Sequence, residues 1–254
     1  MFFSGCPLRC VYCQNKDIAR GEIGRVVSTE RLARIFLEQQ ERGALNINLV
    51  TPTHFVTQIK DALDLARSHA FSDTPLALPI VYNTSGYELA EEVAALDGYV
   101  DVFLTDFKYA SPDLARRYSA APDYPETASK ALDAMFELVG PLVYDESERG
   151  EERLARGIIV RHLLLPGQLD DSKHIMELLA DKPYVDDIIV SIMNQFTPSE
   201  ELIRDFPELA SRVSDDEYDE LIDYALDLGI VHSFMQEGDT ADESFIPAFD
   251  YEGI

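Results

Sequence analysis

Continuous apolar runs alternate along this chain with apolar positions at helical spacing. Ser28 is a candidate N-cap for a helix carrying Leu32, Ile35 and Phe36, which Gly43 ends. Leu45 to Val50 reads as a buried strand, followed by the loop Thr51-Pro52-Thr53-His54 and a helix with Phe55, Ile59, Leu63 and Ala66 on one face. The unit recurs. Ile80-Val81-Tyr82 is strand-like and leads through the polar loop Asn83-Thr84-Ser85-Gly86-Tyr87 to a helix with Leu89, Val93 and Leu96. Val102-Phe103-Leu104 runs into Asp106-Phe107-Lys108, with a helical region around Leu132, Met135, Phe136 and Val139. Ile158 to Leu164 is a strand closed by Pro166-Gly167, before a helix through Ile175, Leu178 and Leu179. Ile188 to Met193 is another strand, ending in Asn194-Gln195. A helix over Asp215 to Leu228 shows the stripe Leu221, Ile222, Ala225 and Leu228, and Ile230 to Phe234 can add a short strand. Asp145 to Glu152 is expected to be an acidic surface loop, and the tail from about residue 237 to be loose.

Apolar strands alternating with amphipathic helices imply an α/β fold, a parallel sheet covered by helices. The clear strand–helix units number six, and no glycine-rich dinucleotide fingerprint is present, which favours a partial (βα)6 barrel of TIM type. No linker divides the chain, so residues 1–254 are read as one domain. Met1-Phe2-Phe3-Ser4 reads as the truncated end of a first strand.

In such folds, sites form at the carboxyl ends of the strands. Polar residues collect there: Thr51 to His54, Asn83 to Ser85, Asp106 with Lys108, and Asn194 with Gln195. Alternation aims Asp106 and Lys108 to one side and Phe107 to the other. Thr53 is either an N-cap or a ligand contact, and Asn83 and Ser85 are either turn residues or ligand contacts. Arg161-His162 lies inside an apolar strand, where an unpaired charge is costly. Arg161 is the residue expected to face the interior and meet an anion, since a guanidinium grips carboxylates bidentately. His162 reads as a packing histidine, and His54 is ambiguous.

Composition narrows the partners. The formal net charge is -26, from 47 acidic and 21 basic residues, and no basic patch is visible, which argues against nucleic acid. No apolar run approaches the roughly 18 residues of a membrane span, and no leader pattern precedes Cys6, so a cytoplasmic protein away from membranes is expected.

The three cysteines all fall in Gly5-Cys6-Pro7-Leu8-Arg9-Cys10-Val11-Tyr12-Cys13-Gln14-Asn15. An odd thiol count argues against a disulfide framework. A structural zinc site wants a fourth ligand, and the nearest histidine, His54, is distant in sequence. Three thiolates can instead hold three irons of a four-iron cube and leave the fourth open to a non-protein ligand.

The spacing C-x3-C-x-aromatic-C, with Tyr12 in the aromatic position, resembles the signature of the radical S-adenosylmethionine (SAM) superfamily. Asp106-Phe107-Lys108 resembles the D-x-K of pyruvate formate-lyase-activating enzymes, and Ile159-Val160-Arg161 through Pro166-Gly167 resembles their arginine strand. The blocks NLVTPTH, VYNTSGYE and MNQFTP are similar to those of uncharacterised iron–sulfur relatives of these activases. The resemblance implies a [4Fe–4S] cluster on Cys6, Cys10 and Cys13, with SAM chelating the fourth iron. One-electron reduction would split SAM to methionine and a 5′-deoxyadenosyl radical, which abstracts hydrogen from a substrate. Lys108 and Arg161 would compensate the SAM carboxylate, and Asp106 would hold its ammonium or a cation. Tyr12, Thr51, Thr53, Asn83, Ser85 and Asn194 complete the expected cofactor contacts. The implied partners are an electron donor such as flavodoxin or ferredoxin and a protein substrate such as a glycyl radical enzyme.

Two features depart from that pattern. The Gly-Gly-Glu loop of the family is here Thr51-Pro52-Thr53, and the first strand is nearly absent. Without further cysteines, no auxiliary cluster is expected. The alternatives are radical chemistry on a small molecule or another protein residue, and a non-catalytic protein that binds the cluster or SAM.

Overall fold

The computed structural model describes residues 1–146, 150 and 152–235. Chain order is α1 (Lys16–Ala19), α2 (Thr29–Glu41), β1 (Ile47–Val50), α3 (Val56–Ala66), β2 (Ile80–Thr84), α4 (Ala90–Ala94), β3 (Val102–Asp106), α5 (Pro112–Ser119) and α6 (Tyr124–Val139). It continues with β4 (Val143–Glu146), β5 (Glu152–Leu163), α7 (Leu169–Ala180), β6 (Ile189–Met193), α8 (Glu200–Asp205), α9 (Asp215–Asp227) and β7 (Ser233–Met235). The sheet order is β1-β2-β3-β5-β6-β7, all neighbours parallel, while β4 pairs antiparallel with β5. The architecture is an open α/β partial barrel. Among the described residues no helix is long and apolar enough to cross a membrane.

The strands form where the sequence is continuously apolar because both sheet faces are covered. Ile80, Val81, Tyr82, Asn83 and Thr84 of β2 are all buried. One core packs α2 and α3 against β1 through Phe36, Leu49, Ala62 and Leu63. A larger core joins α5, α6, α7 and α9 to the central strands through Phe103, Leu132, Met135, Ile158 and Leu221.

The N-terminal residues pair with β1 at the expected first-strand position. Phe2 bridges Val50 in parallel, Phe3 N–H donates to the Val50 carbonyl at 2.9 Å, and Val50 N–H donates to the Met1 carbonyl at 2.7 Å. The cysteine loop thus leaves a strand position beside β1.

Several expectations are corrected. Leu89 is largely exposed and packs no stripe of α4, because it precedes the helix as its N-cap. Leu228 is exposed at the end of α9. Asn83 and Thr84 belong to β2, not to a loop. The acidic segment beginning at Asp145 is the end of an antiparallel hairpin: Asp145 pairs with Arg153 and Glu146 with Glu152. The tail expected to be loose lies outside the described residues. Helix α5 was not anticipated, since its apolar content is low, yet Ser111 followed by Pro112 and Asp113 is a helix-start pattern. Ser111 Oγ accepts from Leu114 N–H there.

Candidate active site

At the carboxyl ends of the strands a cleft of about 250 Å³ opens. Cys6, Cys10, Cys13 and Tyr12 line one side, and Thr51, Asn83, Ser85, Asp106, Lys108 and Arg161 line the other. The remaining wall is largely apolar, from Phe2, Val50, Leu163, Met193 and Phe196.

The cysteine loop is held by parts of the chain far from it. Leu8 is buried in the larger core. Arg9 N–H and Val11 N–H donate to the carbonyls of Ser119 and Tyr118 at 3.1 and 2.9 Å, so the end of α5 clamps both sides of Cys10. Gly5 sits at φ +100°, and a Cβ there would stand 3.2 Å from His54 Cδ2. That position needs a glycine for both reasons. His54 itself is exposed and is not among the lining residues.

Opposite the thiols, three charged side chains form one cluster. Asp106 and Arg161 are register partners on β3 and β5. Arg161 Nε donates to Asp106 Oδ1 at 2.9 Å, and its other arm donates to Asn83 Oδ1 at 2.9 Å. Lys108 Nζ meets Asp106 Oδ2 at 2.6 Å. Burial would raise the Asp106 carboxyl, but Arg161 and Lys108 overcome it and hold it below the usual range. Burial would likewise lower Lys108, and Asp106 reverses this, so the ammonium stays charged. Two cations around one carboxylate leave one positive charge among these three side chains, in a chain of net charge -26.

Backbone geometry fixes that cluster. The one Tyr124 O–H hydrogen is shared between the carbonyls of Ser85 and Asp106, at 2.8 and 3.0 Å, and Tyr124 Oη accepts from Lys108 N–H at 3.0 Å. Gly86, at φ +78°, passes so close to β3 that a Cβ would meet the Asp106 carbonyl oxygen at 2.2 Å. Phe107 points into the core, as the alternation required.

The structure distributes the remaining candidates as follows. Asn83 is a buried strand residue that orients Arg161, not a turn residue. Ser85 Oγ is buried beside the cleft without a hydrogen-bond partner. Thr51 adopts φ +56°, a costly left-handed conformation for a β-branched residue. Thr53 is turned away from the cleft: its hydroxyl donates at 2.6 Å to Glu88, a buried carboxylate that also accepts from Thr84. Asn194 does not line the cleft either; Gln195, Phe196 and Thr197 do, since the chain turns after β6 with Phe196 N–H donating to the Asn194 carbonyl. His162 is a satisfied core residue. Its Nδ1–H donates to the Phe107 carbonyl at 2.9 Å, Nε2 lies 2.9 Å from Ser172 Oγ, and burial lowers its pKa to about 4.

Sequence patterning missed Glu88, Tyr109, Ser119 and Tyr124. The Tyr-rich stretch around α5 was the available signal, because buried phenols require partners.

The donor chemistry fits an iron–sulfur centre with an open position. Among the described residues, three cysteine thiols and no histidine line the cleft. Among the described residues no three His, Cys, Asp or Glu groups converge tightly enough for a single metal ion. Burial pushes the Cys6 thiol up to about 11 and raises Cys13, so metal loading would release protons. The orphaned Ser85 hydroxyl and the net positive cluster suit an adjoining polar, anionic ligand.

Comparison with known proteins shows the family and the fold. The family model of the Radical SAM superfamily matches residues 1–179. An uncharacterised protein of Methanocaldococcus jannaschii is 26% identical over 238 residues, covering 89% of this chain, and the chain spans 61% of that relative's length. Streptococcus suis SuiB, in a crystal structure bound to S-adenosylmethionine, superposes with a TM-score of 0.60 at 12% identity, over 94% of this chain and 50% of SuiB. A domain of pyruvate-formate lyase-activating enzyme from Bacteroides vulgatus gives a TM-score of 0.50 at 13% identity, over 76% of this chain and 99% of that domain. This chain belongs to the radical SAM superfamily.

Proposed function

We propose that this radical SAM chain is an enzyme that holds a [4Fe–4S] cluster on Cys6, Cys10 and Cys13 and binds S-adenosylmethionine beside it. With both bound, one-electron reduction of the sulfonium supplies a 5′-deoxyadenosyl radical able to take hydrogen from a substrate. The observation that carries this reading is the placement of three thiols and the Asp106–Lys108–Arg161 cluster in one cleft.

The chain's own residues divide the remaining work. Lys108 and Arg161 receive the SAM carboxylate, since together they exceed the charge of Asp106 by one. Asp106 keeps Lys108 charged and holds both cations in register, and its carboxylate is available to the SAM ammonium. Asn83 fixes the plane of the Arg161 guanidinium. Ser85 offers a hydroxyl to the ligand. At Thr51, where the family pattern has glycine, the left-handed backbone permits the carbonyl to serve in place of a side chain. Phe2, Val50, Leu163, Met193 and Phe196 keep water from the reacting groups.

The substrate hydrogen is proposed to lie on a polypeptide, with a glycine in the manner of the activases as the leading case. Among the described residues β1 and β7 do not pair with each other, so the described sheet does not close into a continuous barrel around the cleft. SuiB has been crystallised with its precursor peptide SuiA, and that fold shares the architecture seen here. A flavodoxin or ferredoxin is the proposed reductant.

The test is anaerobic reconstitution with iron and sulfide, then reduction in the presence of SAM. Release of 5′-deoxyadenosine by wild type, and none from Cys10→Ala, is expected. Failure of the wild-type chain to assemble any iron–sulfur chromophore would remove the reading. A glycyl-radical signal on a candidate partner then decides the substrate.

A further inference from the structure

The hydroxyl groups behind the cysteine loop form a directed chain. Ser119 Oγ donates to Cys10 Sγ at 3.0 Å. With the Ser119 hydrogen directed at Cys10 Sγ, the 2.7 Å contact between Ser119 and Tyr109 is assigned to Tyr109 O–H donating. Tyr109 in turn accepts from Tyr12 O–H, at 2.6 Å. The order is therefore Tyr12 to Tyr109 to Ser119 to the sulfur of Cys10.

The inner members of this chain are buried. Tyr109 and Ser119 are each 1% exposed. Ser119 is the last residue of α5, and its own carbonyl accepts from Arg9 N–H, which fixes its distance from Cys10. Tyr109 packs edge-on against Tyr124, and Tyr12 edge-on against Phe196. A phenol and a serine kept dry are costly unless each donor has an acceptor, and the sulfur is the final one.

We propose that Ser119, polarised by Tyr109 and Tyr12, raises the reduction potential of the cluster by hydrogen bonding to the Cys10 sulfur. This rests on the cluster-binding reading above. A hydrogen bond to a ligand sulfur withdraws electron density and favours the reduced state. Each donor in such a chain strengthens the next in a low-dielectric setting. The relay matters here because the chain carries a formal charge of -26, a field that opposes adding an electron to the cleft. In this arrangement Tyr12 presents its ring to the cleft and its hydroxyl to the relay. Ser119 and Tyr109 are tuning residues, not catalytic ones.

The experiment is a redox titration of the reconstituted protein, following the iron–sulfur absorption and the EPR signal of the reduced cluster. Ser119→Ala is expected to lower the one-electron reduction equilibrium about tenfold, which is about 59 mV more negative. Tyr109→Phe keeps the ring volume and removes the polarising donor, so its midpoint falls in the same direction by a smaller amount. Ser119→Thr keeps the hydroxyl and restores the wild-type value. Iron content is measured on every sample. Equal midpoints in wild type and Ser119→Ala, with equal iron, overturn the relay while leaving the cluster reading intact. Should Ser119→Ala not retain a cluster, an unchanged midpoint in Tyr109→Phe overturns it. Absence of iron from wild type overturns both.

Discussion

Arg161 and Asp106 are register partners on adjacent parallel strands, with guanidinium and carboxylate 2.8 Å apart. The pair stands directly above the core and next to Lys108, so Asp106 is shared between two cations. A partly buried carboxylate in that position governs both stability and ligand charge balance.

Asp106→Asn should therefore do more harm than either cation change. It leaves Lys108 and Arg161 facing one another without their carboxylate, and removing one partner of a buried pair costs about 3 kcal/mol. Partial exposure of the group reduces this to about 2 kcal/mol, read as a lower urea midpoint. Arg161→Lys retains the charge but leaves the buried Asn83 Oδ1 without its donor, so the expected result is weakened SAM binding with a stability loss of about 1 kcal/mol. Calorimetric titration with SAM, compared with urea unfolding, separates the two effects.

Gly86→Ala is expected to be severe and Gly98→Ala mild. Both glycines have left-handed φ, +78° and +77°, so both substitutions bear a backbone cost of about 1 kcal/mol. Only at Gly86 would the new Cβ overlap the Asp106 carbonyl, at 2.2 Å, while Gly98 has nothing within 4 Å. The loop after β2 would have to move, adding about 2 kcal/mol. Thermal melts of the two variants check the difference, which should amount to several degrees.

Protonation of His162 should make the fold acid-sensitive in a defined window. Its folded pKa is about 4, below the ordinary 6.5, because burial disfavours the charged ring. The unfolded chain then binds more protons between those values, so stability is complete above about pH 6.5 and falls as pH drops toward 4. The shift corresponds to about 3 kcal/mol at the acid limit. Urea midpoints across this range should fall less steeply in His162→Asn than in wild type. Identical slopes would remove His162 from the account.

Glu88 should prove structural rather than catalytic. It is 4% exposed and accepts from the hydroxyls of Thr53 and Thr84, tying the loop after β1 to the end of β2. Glu88→Ala strands both hydroxyls without their acceptor, costing about 2 to 3 kcal/mol. Faster amide exchange at residues 51–55 and 84–86 is the expected signature, with iron content on reconstitution unchanged.

The amino-acid sequence by itself determined the strand–helix alternation, because apolar continuity and helical spacing report burial directly. It also determined the cysteine loop, since C-x3-C-x2-C is a local spacing, and the pairing of Asp106 with Lys108, since strand alternation is a rule of period two. Arg161 was legible for a related reason: a guanidinium inside an apolar strand requires an anion nearby. Tertiary structure alone decided which anion. The register of β3 against β5 places Asp106 opposite Arg161, and no local pattern encodes register between strands some fifty residues apart. The same holds for the exclusion of Thr53 and Asn194 from the cleft, which follows from where Glu88 and the turn after β6 lie. The support of the cysteine loop is the clearest case. The end of α5, over a hundred positions later, clamps the loop by backbone bonds and supplies Ser119 to the Cys10 sulfur. Hydrogen bonds of that range depend on how α5 packs, and only the folded chain fixes it.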